Sequence, residues 1–145
     1  MGVHPVRLAR DSLGFLLADV SRLMRRAFAA RLKSRSLTLA QARALVYVSR
    51  QEGLRQVELA QLLEVQPITL ARLVDQLCAA GLVERRADPA DRRAYQLFLL
   101  PAAGPLLAEI GRVAASVRAS ALRGLNERAA AVVLAGLRRM RGNLS

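Results

Sequence analysis

Residues 56–80 hold two amphipathic segments separated by only three residues, and that break constrains the fold more than anything else in the chain. Gln56-Val57-Glu58-Leu59-Ala60-Gln61-Leu62-Leu63 reads as one short helix. Glu64-Val65-Gln66 leaves no room for a long connection. Pro67 suits a first helical position, where its missing N–H would have no intrahelical partner. Leu70, Leu73, Val74 and Leu77 then recur at steps of three and four through a second helix, about 67–80, which Gly81 stops. Two helices joined by so tight a turn make a helix-turn-helix.

Beyond Gly81 the period changes. Leu82-Val83-Glu84-Arg85-Arg86 is strand-like, and Asp88-Pro89-Ala90-Asp91 has turn chemistry. Tyr95, Leu97 and Leu99 then alternate with Gln96 and Phe98, which predicts a β-hairpin attached directly to the helix-turn-helix, a wing. Upstream, Leu13, Leu16, Leu17, Val20, Leu23, Met24, Ala27, Phe28 and Leu32 mark one stripe of a long helix over 11–33. Leu37-Thr38-Leu39-Ala40-Gln41 predicts a capping box that starts the next helix, which runs to about Arg50 and is stopped by Gly53. Downstream, Pro101 is placed to open a helix to about Leu122, and Asn126 to cap the last one. The expected fold is mainly α with a small β-hairpin, in one domain spanning 1–145. A winged helix-turn-helix occupies 36–100; the helical arms 1–35 and 101–145, too apolar to be solvated, pack together across a twofold axis and make a homodimer.

Composition removes other classes. A single cysteine, Cys78, allows no internal disulfide and fits a reducing cytoplasm. With one histidine, His4, the chain has no His/Cys metal set and no Ser-His-Asp or Cys-His catalytic set. No cofactor is expected. The acids stand singly, so no carboxylate pair supports an enzyme. The apolar run Ala129–Leu137 is far short of the ~20 residues that span a membrane, and Leu13–Ala18, bracketed by Asp11 and Asp19 with no cleavage site after it, is not read as a targeting segment. The core must be aliphatic, since only 3% of residues are aromatic.

The charge balance points to a polyanion. Lys and Arg total 23 against 11 acids, for a net +12, and Lys33 is the only lysine. A bias toward arginine over lysine explains the guanidinium but not the excess over acid. In a helix-turn-helix the second helix enters the major groove, and its exposed N-terminal residues meet base edges. Arg72 there binds guanine O6/N7 or grips a phosphate; the alternative is pairing with Asp75 or Gln76 on a solvated face. Gln66 and Thr69 are polar readers, and Pro67 and Ile68 reach a thymine methyl. In the wing, Arg85 and Arg86 lead into the tip and Arg92 and Arg93 leave it. These four arginines are offered to a minor groove, with Asp91 bracing the tip and Glu84 and Asp88 close by.

Residues 36–100 nevertheless carry eight arginines and seven acids, so most of the excess lies in the arms. Placement of side chains, not charge of the lobe, must supply specificity. Arg25, Arg26, Arg31, Lys33 and Arg35 either flank the duplex or form the solvated side of the first helix. A sequence-neutral DNA-coating protein is the competing reading, against which the tight turn and the wing both count.

Three stretches carry a resemblance: Gln56-Val57-Glu58-Leu59-Ala60 through Leu73-Val74-Asp75-Gln76-Leu77, Ala80-Gly81-Leu82-Val83-Glu84-Arg85, and Asp88-Pro89-Ala90-Asp91-Arg92-Arg93-Ala94. They resemble the MarR/SlyA family of bacterial transcription regulators, whose element order and length also match. The resemblance implies a homodimer that binds a pseudo-palindromic double-stranded DNA operator, with Arg72 and Arg93 as leading contacts. It also implies a cleft between the dimer arms and the DNA lobe that takes a small aromatic or phenolic anion. Thiol-sensing relatives carry their cysteine in the first helix, whereas Cys78 is read as a small core residue. Leu99-Leu100 stands where the family has Leu-Thr, so Pro101 must fix the start of the following helix.

Overall fold

The computed structural model describes residues 12–32 and 37–145; Lys33 and Arg35 lie outside them. α1 (Leu13–Leu32) is followed by α2 (Leu39–Arg50). The predicted capping box starts α2: Gln41 N donates to Thr38 Oγ1 at 3.1 Å, and Thr38 N donates to Gln41 Oε1 at 3.0 Å. Ala42, Leu45 and Val48 form its buried stripe.

The helix ends at Arg50, where the sequence puts its end, and Gly53 turns the chain with φ +86. Its N–H donates to Leu97 O at 2.9 Å, and a Cβ there would stand 3.5 Å from the Phe98 ring. The turn delivers a two-residue strand, β1 (Leu54–Arg55), that no sequence pattern announced. α3 (Gln56–Leu63) follows at once, and Glu64 closes it in the left-handed region at φ 55, donating to Ala60 O and Gln61 O. α4 (Pro67–Ala79) starts with Pro67 in its first turn and ends before Gly81, whose φ is +72.

β2 (Val83–Asp88) and β3 (Asp91–Leu99) form the hairpin, and β1 adds to the other edge of β3 in a three-stranded antiparallel sheet of order β1-β3-β2. Leu54 faces Leu97, and Arg85 faces Leu97 from the other side. Leu97 is fully buried, whereas Tyr95, expected on the same face, is half exposed because the strand has by then left the core. Leu45, Leu59, Leu70, Val74, Leu77, Val83 and Leu97 make the centre of the core, so three helices close over one face of the sheet. Leu73 and Cys78 are partly buried and pack against that cluster.

α5 (Ala103–Ala121) begins two residues after Pro101, which occupies the preceding turn and not the helix. Ala102 supplies no side-chain cap; Ala103 N and Gly104 N donate instead to Leu100 O and Pro101 O. α5 packs on α1, where Arg31 donates to Ser116 Oγ at 2.7 Å and to Ser120 Oγ at 3.0 Å. Arg31 is thereby a tie between arms. α6 (Glu127–Leu144) is capped by Asn126, whose Oδ1 accepts Ala129 N at 2.8 Å. Not one residue of α6 is buried, and Val132, Val133 and Leu137 lie exposed on it. Leu13, Leu16, Leu17, Val20 and Leu23 are exposed on α1 in the same way. No described helix is long and apolar enough to cross a membrane.

Candidate nucleic-acid interface

The inward stripe of α4 leaves its first two turns facing outward. Gln66, Pro67, Ile68, Thr69 and Arg72 are all exposed, Ile68 at 66%. Arg72 makes no hydrogen bond or ion pair among the described residues. Both side chains that could have held it are engaged elsewhere: Asp75 pairs with Arg85 at 2.7 Å, and Gln76 accepts from Gln41 Nε2 at 3.3 Å. The solvated-face pairing of Arg72 is therefore absent, and its guanidinium is open to a ligand.

Arg85 does not stand with the wing cations. Its Nε donates to Gln56 Oε1 at 2.9 Å, its Nη2 to Ala71 O at 3.1 Å, and its Nη1 meets Asp75. The side chain is 24% exposed and cross-links β2 to α3 and α4. Strand alternation explains the difference, because Arg85 points to the helical side that Leu97 also faces. Arg85 is thus corrected from a wing contact to a brace that fixes the wing against α4. Arg86, next along the strand, points the other way, where it pairs with Glu84 and lies 3.9 Å from the Phe98 ring centroid.

The wing tip is held by two aspartates, of which the sequence signalled one. Asp91 Oδ1 accepts Arg93 N at 3.0 Å, a local turn that shapes the exit of the hairpin. Asp88 is the stronger device: 5% exposed, it accepts Ala90 N on Oδ1 at 2.9 Å. Its Oδ2, shielded from water and without a directional hydrogen bond, lies 2.7 Å from Arg55 Nη2. Asp88 is thus spent on Arg55 and does not neutralise the wing arginines. Ala87 faces Tyr95 and Asp88 faces Asp91, so Arg92, Arg93 and Ala94 have no partner on β2. Such a bulge re-aims side chains; Arg92 and Arg93 are exposed, and neither side chain has a partner among the described residues.

A cleft of about 300 Å³ lies between α1, α2 and α5. Met24, Phe28, Val46, Tyr47, Ile110, Ala114 and Val117 give it apolar walls, and Arg25, Arg43 and Arg50 give it cations. A second groove runs from the N-terminus of α2 to the outer face of α4, lined by Thr38, Arg43, Thr69, Arg72 and Gln76. Arg43, which the sequence gave no reason to single out, borders both. Among the described residues no group of three His, Cys, Asp or Glu could hold a metal ion.

The sequence profile of the MarR family matches residues 35–94, the segment from the N-terminus of α2 to the wing. A solved structure of the transcriptional regulator PA3341 is 40% identical, covers 92% of this chain and 98% of its own, and superposes with a TM-score of 0.78. The chain belongs to the MarR family. A solved structure of MarR is 28% identical over 94% of each chain, with a TM-score of 0.84. MarR from E. coli in its apo form, 23% identical over 89% of this chain and 96% of its own, shares the fold at a TM-score of 0.80. This MarR-family chain is thus a transcriptional regulator by family, with the mainly α architecture and hairpin wing read from its sequence. What sequence reasoning missed in this MarR-family interface is its scaffolding: Arg55 under the wing, Arg85 turned inward and Arg43 between two clefts.

Proposed function

We propose that the protein is a sequence-specific double-stranded DNA-binding repressor of transcription in the bacterial cytoplasm. A homodimer sets α4 of each protomer in the major groove of a pseudo-palindromic operator, with each wing in the flanking minor groove. The observation that carries this reading is the uncommitted state of the outward side chains. Gln66 at the cap of α4, Thr69 and Arg72 on it, and Arg92 and Arg93 on the wing are exposed and make no side-chain bond among the described residues, while Arg85, Asp75 and Asp88 near them are held in ion pairs. A rigid frame presenting free donors suits base-edge and phosphate contacts.

The homodimer is supported by the bare apolar faces of α1 and α6. Two copies of such a face satisfy each other through an isologous contact. The cleft between α1, α2 and α5 lies where the arms meet the DNA lobe. Its apolar walls and three arginines suit a small aromatic or phenolic anion, whose binding would release the operator. The chain has no catalytic role in this reading.

Selection from random duplex DNA at physiological salt, followed by protection of the selected site, tests the proposal. A roughly palindromic site is expected. Arg72→Ala should weaken it by about 1–3 kcal/mol and relax preference at one position of each half-site. Arg93→Ala should weaken binding with little change in the preferred major-groove bases. Recovery of no motif would favour sequence-neutral coating, and wild-type binding by both variants would remove the proposed reading surface.

A further inference from the structure

Arg43 is half-buried on α2 and has no hydrogen-bond or ion-pair partner among the described residues. Water still reaches this unpaired guanidinium, which leaves its donor fork open to an anion from outside. It borders two hollows at once. On one side is the apolar cleft with Tyr47 and Arg50; on the other is the groove with Thr38, Thr69 and Arg72. That second groove continues the outer face of α4, so a duplex seated on α4 brings the phosphates that wall the major groove toward it.

We propose that Arg43 is one guanidinium contested by two anions: a DNA backbone phosphate in the groove beside Thr69 and Arg72, and the charged group of an aromatic anion in the cleft beside Tyr47. A single fork cannot serve both sides together. Occupation of the cleft turns Arg43 inward and removes a phosphate contact; DNA turns it outward and weakens the cleft for anions. Linkage makes the two effects equal in size. No change in the spacing of the two DNA lobes is required. The inference rests on the DNA-binding reading above and adds a named route by which the cleft and the operator compete.

The test uses the full-length protein, its selected operator and 4-hydroxybenzoate as the probe anion, with wild type, Arg43→Gln and Arg43→Lys compared after thermal melts establish that all three are folded. In wild type the probe should weaken operator binding by about fivefold or more, the usual lower range of such coupling. Arg43→Gln should bring that effect below about twofold. It should also flatten the dependence of log K on log salt by about 0.9 for each phosphate lost. Arg43→Lys, which keeps the charge, should recover most of the slope. A wild-type slope in Arg43→Gln, an undiminished probe effect in that variant, or a wild type indifferent to the probe overturns the inference. The parent reading fails differently, by selection of no site or by Arg72→Ala and Arg93→Ala both binding as wild type.

Discussion

Replacing Arg55 by methionine should destabilise the protein more than replacing its partner Asp88 by asparagine, although both remove the same ion pair. The difference follows from burial. Asp88 is 5% exposed, whereas the Arg55 side chain is 40% exposed. Without Arg55, the Asp88 carboxylate stays in its shielded position beneath the wing with no cation beside Oδ2. Orphaning a buried charge costs about 3–5 kcal/mol where the pair is fully buried. Partial exposure of Arg55 means that water can approach its place, so about 2–3 kcal/mol is expected here. Asparagine at 88 retains an acceptor for Ala90 N, and the freed Arg55 can move into solvent; that loss is about 1 kcal/mol. At roughly 3 °C per kcal/mol for a chain of this size, Arg55→Met should lower Tm by about 6–9 °C and Asp88→Asn by about 3 °C. Melts followed by circular dichroism at one protomer concentration measure both, since association also shifts Tm. Equal losses, or a greater loss in Asp88→Asn, would refute the burial argument.

Two other expectations follow from local geometry. Thr38→Ala removes the hydroxyl that receives Gln41 N and should cost about 1 kcal/mol in urea unfolding; adding Gln41→Ala should cost less than it does alone, because the two bonds form one box. Val132→Glu on α6 changes a side chain that is 67% exposed in the single chain. It should shift Tm little in an isolated protomer, yet sedimentation should show a dimer converted to monomer, and an unchanged dimer would place the interface elsewhere.

Much of the frame was legible because it rests on short-range rules. Thr38 with Gln41, Pro67 at the start of α4, Gly81 after it and Asn126 before α6 each act within one helical turn, and the structure has each where the sequence put it. The helix-turn-helix and hairpin were legible through periodicity, which reports the side that must be buried. Contacts across the fold were not. Arg55 and Asp88 lie far apart in sequence, and only β1, too short to show a period, brings them together. Arg85 and Arg86 look equivalent as letters, but the pleat sends one to the helices and the other over Phe98. The three residues of β3 without partners could not be foreseen either, because register depends on where the hairpin closes. Pro101 was misplaced for a related reason: backbone carbonyls of Leu100 and Pro101 supply the cap that its ring was expected to replace.

Hydroxyl-radical cleavage of the selected operator, read on both strands with protein bound at physiological salt, tests the central claim most directly. Two recognition helices on a twofold frame predict two equivalent protected half-sites on one side of the duplex, with centres about one helical turn, ~34 Å, apart. Arg93→Ala should lose protection only in the flanking minor grooves. A single protected half-site at saturating protein, or cleavage reduced evenly along the fragment, would contradict it.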